Sequence, residues 1–191
     1  MTRVRDSQRS RLYAAEWECF GWPEMEFKSM DELTTYLWKV LSNHHVQNKY
    51  QVARKLVDGA TPLKISNGSW SRRAWARHED GFMWVSFPRR SRAKHVVLHE
   101  ISHLLAPDDC PAHGREFCQV YLHLVKLFFG KDTQNKFKAA MKKHKCKYSK
   151  PHTRWKTPLS QEEKDVMLAR LIAGRQNGQP QMEYSEGDAV L

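Results

Sequence analysis

His99-Glu100-Ile101-Ser102-His103 places two imidazoles four residues apart, with a carboxylate beside the first. On a helix, residues four apart lie one above the other, so both rings can reach one ion while the Glu projects toward water on it. The stretch is therefore constrained to be helical, and its neighbours agree. Val97, Leu98, Ile101, Leu104 and Leu105 recur at helical spacing, which predicts a helix over Ser91–Ala106 with Ser91 as N-cap and Pro107 as the stop. Val96-Val97-Leu98 and Leu104-Leu105 flank the motif, which places the His pair at a buried site. Two unsatisfied polar rings there are costly, and a bound ion supplies the missing partner.

A catalytic zinc site needs a third protein ligand and an open position. His113 is the candidate, reached through the turn-forming Pro107-Asp108-Asp109-Cys110-Pro111 and followed by Gly114 and a second helical pattern opening at Arg115-Glu116-Phe117. The metzincin scheme needs a Gly and then a His six residues after the second motif His; the Gly is absent and position 109 is Asp. Asp108, Asp109 and Glu116 are close enough in sequence to compete with His113.

The run from His99 through His103 to Ala112-His113-Gly114-Arg115-Glu116-Phe117 resembles the SprT-like zinc metallopeptidases, which place a His-Gly-x-x-aromatic element after the motif helix. It is similar in particular to small metallohydrolases of actinobacteria and their phages. That likeness extends to Arg5-Asp6-Ser7-Gln8-Arg9-Ser10 and Tyr13-Ala14-Ala15-Glu16, and so covers most of residues 5–147. The resemblance implies a zincin-like fold, one Zn²⁺ held by His99, His103 and His113, Glu100 as the catalytic residue, and a bacterial or phage-infected host cell. The C-terminal Cys-pair zinc ribbon of longer family members has no counterpart, since Cys19, Cys110, Cys118 and Cys146 form no C-x-x-C.

A 191-residue chain that is 40% hydrophobic, with seven Trp and eight Phe, suffices for one core. We expect a single domain over residues 1–158 and a C-terminal helix with a frayed tail over 159–191. The basic start of the chain has no apolar run after it, and no segment approaches the roughly 20 apolar residues of a membrane span. With no disulfide framework, the expectation is a cytoplasmic protein with reduced thiols, without a membrane partner.

The expected fold class is α+β. Arg9–Cys19 is weakly amphipathic, and a helix capped by Ser29 or Asp31 carries a stripe of Leu33, Tyr36, Leu37, Val40 and Leu41 to a solvated end at His44-His45. Pro62–Ile65, the alternating Trp70–Arg77 and Phe82–Phe87 predict a small antiparallel sheet before the motif helix. Phe117, Val120, Tyr121, Leu124, Val125, Leu127 and Phe128 mark an apolar helix ending at Gly130, with another over Thr133–Lys145 and a terminal one over Leu159–Ala173.

The formal net charge is +11 and uneven: residues 1–158 hold 29 Lys and Arg against 15 acids, residues 159–191 three against six. Lys131–Lys156 alone holds ten cations and one acid, with Tyr148 and Trp155 among them. Such a stretch suits phosphate contact and base stacking, so DNA or another polyanion is an expected partner beside a protein or peptide substrate. Candidate contacts are Lys142, Lys143, Lys145 and Lys147, and a second group of Arg72, Arg73, Trp75 and Arg77, in which alternation places Arg73, Trp75 and Arg77 on one strand face. The expected chemistry is amide hydrolysis with Glu100 as general base, and His95, Arg115 and Tyr121 are candidates for the group that stabilises the oxyanion. A zinc hydrolase of another bond, or a basic nucleic-acid-binding protein with a structural zinc, are the competing expectations.

Overall fold

The computed structural model describes residues 6–68, 71, 73–79, 81–108 and 110–148. All lie in the first of two units into which the chain divides, Met1–His152. The expected helix over Leu159–Ala173 and the tail fall outside the described residues.

The architecture is mixed α+β, with six helices and one three-stranded sheet among the described residues. Helix α1 (Arg9–Phe20) buries Leu12, Ala15 and Glu16, one turn of a stripe that includes an acid. Helix α2 (Met30–Leu41) starts where expected: the Ser29 hydroxyl accepts the Glu32 N–H at 3.1 Å. Leu33, Leu37, Val40 and Leu41 form its buried stripe, while Tyr36 is half-buried. His44 and His45 are exposed, as expected, but they do not end this helix. Asn43, in extended conformation, accepts the His45 N–H at 3.0 Å and so opens the short α3 (His44–Lys49), followed by α4 (Gln51–Val57).

The sheet corrects one expectation. Its order is β1 (Leu63–Ser66), β3 (Phe82–Ser86), β2 (Trp75–Glu79), with β2 antiparallel to β3 and β1 parallel to it. The turn at Gly81 folds β3 back along β2, and segment 67–81, which includes β2, is long enough for the crossover that a parallel pair requires. Gly68, at φ +59°, lies in that crossover where a Cβ would come within 2.6 Å of the Pro88 nitrogen. Period-2 alternation puts Leu63, Ile65, Ala76, His78, Met83 and Val85 on one face, and Met83 and Val85 are buried there. Lys64, Trp75, Arg77, Phe82 and Trp84 share the other, where the Lys64 ammonium sits 3.7 Å from the Phe82 ring centre.

The motif helix α5 (Lys94–Leu105) starts later than expected, because Ser91 belongs to a 3₁₀ turn, Arg89–Ser91. Its N-cap, Ala93, has no side chain to offer; the Glu26 carboxylate accepts the Lys94 N–H instead, at 2.5 Å. Helix α6 (Arg115–Lys143) is two predicted helices joined at a kink, since Gly130 takes φ +88° inside it. Helix α5 packs on β2 and α6, and α6 also receives α1. The core lies between them, with Leu12, Leu98, Ile101, Phe117, Tyr121 and Phe137 without solvent exposure. Among the described residues no helix is long and apolar enough to cross a membrane, and none of the four cysteines is in a disulfide.

Candidate metal centre

Three side chains from two elements converge on one point. His99 and His103 come from the α5 face opposite Val97 and Leu104, and His113 comes from the loop that leads into α6. The Nε2 atom of His99 lies 3.2 Å from Nε2 of His103 and 3.2 Å from Nε2 of His113. One nitrogen from each of the three lies within 4.8 Å of the others, a group that could hold a metal ion. Phe117 backs all three rings, at 4.9, 4.4 and 5.1 Å between centres, which fixes their packing from the core side. Of the competing acids, Asp108 pairs with His78 at 2.7 Å, Glu116 is not in the group, and Asp109 lies outside the described residues.

The outer nitrogens are held by carboxylates. Nδ1 of His99 donates to Glu16 Oε1 at 2.6 Å, and Nδ1 of His113 donates to Asp6 Oδ2 at 2.6 Å. A neutral imidazole whose Nδ1 carries the proton presents a lone pair at Nε2, which both rings can offer as an electron-pair ligand at the shared point. Gln8 locks the loop: its amide donates to the His113 carbonyl at 2.6 Å, and its oxygen accepts the Lys147 N–H at 2.9 Å. The Ser102 hydroxyl donates to the Leu98 carbonyl at 2.6 Å within α5.

Electrostatics inside the cluster follow from burial and these carboxylates. Burial works against a charged His99, but Glu16 and Glu100 outweigh it and raise its pKa. Burial and the charges of His99 and His113 push His103 well below the ordinary imidazole value. His113 is lowered by burial and by His99, with Asp6 in partial opposition. A proton on Nε2 of His99 can satisfy only one of the two 3.2 Å contacts. A divalent ion serves all three nitrogens at once. The spacing fits as well, since tetrahedral coordination with Zn–N of about 2.05 Å separates ligand nitrogens by about 3.3 Å.

Glu100 is 4% exposed, and its Oε2 is buried with no hydrogen-bond partner among the described residues. Burial pushes its pKa up to about 7, against the pull of His99. Such an orphaned carboxylate oxygen beside a three-nitrogen cluster is what a small polar ligand or water at the same point would satisfy.

Of the other expected residues, Tyr121 meets the His99 ring edge-on at 5.6 Å, and the rest are dispersed. His95 stacks on Phe20 at 5.1 Å and 6°, and its carbonyl accepts the hydroxyl of the fully buried Tyr121 at 3.1 Å, while Arg115 is exposed at the start of α6. Trp75 and Arg77 share the outer sheet face, with the Arg77 guanidinium 4.7 Å from the Trp75 ring and 4.9 Å from Trp84. Arg73 does not join them: the strand begins only at Trp75, and its guanidinium lies 6.0 Å from the ring of Tyr13. Arg72 lies outside the described residues. Lys142, Lys143, Lys145 and Lys147 are exposed at and beyond the end of α6, and Lys143 pairs with Glu18 at 2.9 Å.

Asp6, Glu16 and Tyr13 were not assigned roles from sequence. Tyr13 stacks on His99 at 5.7 Å and meets His113 edge-on at 5.4 Å. The signal for Glu16 was its place one turn along from Leu12 and beside Ala15, an acid on an apolar stripe. No family model, curated protein or solved structure matches this chain.

Proposed function

We propose that the chain is a zinc-dependent metallopeptidase of zincin type. The observation that carries this reading is the conjunction of three Nε2 atoms, two of them aimed by carboxylates, with a buried carboxylate that lacks a partner. His99, His103 and His113 would hold the ion with a position left open. There it would act as a Lewis acid on a carbonyl oxygen and lower the pKa of water toward about 7. Glu100 accepts the proton of the attacking water at its carboxylate and returns it to the leaving nitrogen. Its raised pKa suits both halves of that exchange near neutrality. A purely structural zinc gains nothing from such a Glu and closes its fourth position with Cys or His.

The sheet supports an extended substrate. Strand β2 is at the edge of the sheet among the described residues and packs against the motif helix, so a peptide can pair with its backbone next to the cluster. The exposed Lys142, Lys145 and Lys147 support action on proteins associated with nucleic acid.

The test is zinc content per chain in protein purified without added metal, together with peptide cleavage. About one zinc in the wild type, much less in His113→Ala, and retained zinc without cleavage in Glu100→Gln are expected. Zinc absent after reconstitution, or cleavage that survives Glu100→Gln, overturns the reading.

A further inference from the structure

Two guanidinium groups from separate parts of the chain approach one ring beside the histidines. Arg9, in the first turn of α1, has its guanidinium carbon 5.6 Å from the Tyr13 ring centre, and Arg73, just before β2, has its own 6.0 Å from the same ring. That ring is the one packed on His99 and His113. Both arginines are exposed, and among the described residues neither forms an ion pair with a carboxylate. Of the nearby acids, Glu16 and Asp6 accept from imidazole N–H groups, and Glu100 is buried.

We infer that Arg9, Tyr13 and Arg73 form an anion subsite at the mouth of the histidine cluster, which takes a carboxylate of a bound peptide flanking the scissile amide. The inference rests on the metallopeptidase reading for the word scissile, and on geometry for the rest. Two exposed cations brought to one ring raise the positive potential there, which an anion offsets. The forked guanidinium matches a carboxylate in two parallel hydrogen bonds, and Tyr13 gives both arginines a flat surface against which to hold that orientation. The carboxylate can come from an acidic side chain or from a free C-terminus.

Zinc-loaded Glu100→Gln protein separates binding from turnover. Three fluorescent peptides with one apolar core are titrated by anisotropy: one with an acidic residue and an amidated end, one neutral with a free C-terminus, and one with no carboxylate. At least tenfold tighter binding of a carboxylate peptide is expected, and whichever of the two binds names the source. Arg9→Gln and Arg73→Gln should each erase most of that preference. Single Lys39→Gln and Lys55→Gln variants, on α2 and α4 and each matched in charge to one arginine variant, should keep it. Equal or absent binding of the three peptides overturns the subsite, as does equal loss in the lysine controls, which would reduce the effect to net charge. Wild-type cleavage of the same peptides is read separately. Cleavage without carboxylate preference removes the subsite and leaves the peptidase; carboxylate preference without cleavage does the reverse.

Discussion

Oε1 of Glu16 lies 2.6 Å from Nδ1 of His99, across 83 residues of chain. With its counterpart from Asp6 to His113, it ties α1 and the residues before it to the histidine cluster, although neither contributes a histidine. An acid in the buried stripe of α1 is costly to bury alone, and the imidazole N–H offsets that cost.

Removing that carboxylate should weaken metal binding without removing a ligand. Glu16→Ala is expected to lower zinc affinity by about 10- to 100-fold, the usual effect of losing a carboxylate that orients a ligating imidazole. Competition with a chromophoric chelator measures it. Asp6→Asn should have a smaller effect, since the Asp6 side chain is 23% exposed against 11% for Glu16, and water can replace it. An equal affinity in Glu16→Ala would mean the ring is oriented by packing alone.

Acid should release the metal, and the order of protonation follows from the cluster. His99, raised by Glu16 and Glu100 against burial, protonates first as pH falls, whereas His103 and His113 are lowered by burial and resist. Because ligands bind zinc only when deprotonated, the logarithm of affinity should fall by about one per pH unit just below the raised His99 value and more steeply in stronger acid. Zinc occupancy constant from neutral pH to about pH 4.5 would exclude a three-imidazole site.

Glu100 should make the metal-free protein less stable as pH rises. Its folded pKa of about 7 exceeds the ordinary 4.5, so the folded state holds the proton more tightly. The contribution is fully present below pH 4.5 and is lost as pH climbs to about 7. It amounts to at most about 3 kcal/mol at 1.36 kcal/mol per unit. Urea denaturation of metal-free wild type and Glu100→Gln should therefore show the variant gaining relative stability across that window. A gap independent of pH would mean that water reaches the carboxylate.

Phe117 joins core to site. It is without solvent exposure and contacts all three histidine rings, so Phe117→Ala should cost about 3–5 kcal/mol in stability and loosen zinc binding together. Thermal unfolding with and without zinc checks both. Loss of stability with unchanged affinity would show that the carboxylates alone hold the rings.

The local elements were legible where a short-range rule acts alone. Ser29 caps α2 because its hydroxyl meets an N–H three residues on, and Gly130 breaks α6 because it takes a positive φ. Ser91 misled, since a distant carboxylate, Glu26, caps the motif helix and frees the start to move to Lys94. The parallel pairing of β1 with β3 was also hidden. Periodicity fixes which residues share a face, but not which strands become neighbours or in which direction they run.

The site divides in the same way. The four-residue spacing of His99 and His103 is a property of the helix, so the sequence by itself determined that two rings share a face with Glu100 beside them. Tertiary structure alone decided that His113 closes the group, that Asp6 and Glu16 turn the rings, and that Arg9 and Arg73 both come near the Tyr13 ring. These are contacts between residues as much as 107 positions apart. They depend on how α1, α5, α6 and the edge of the sheet pack, and no local rule of spacing or propensity carries that information.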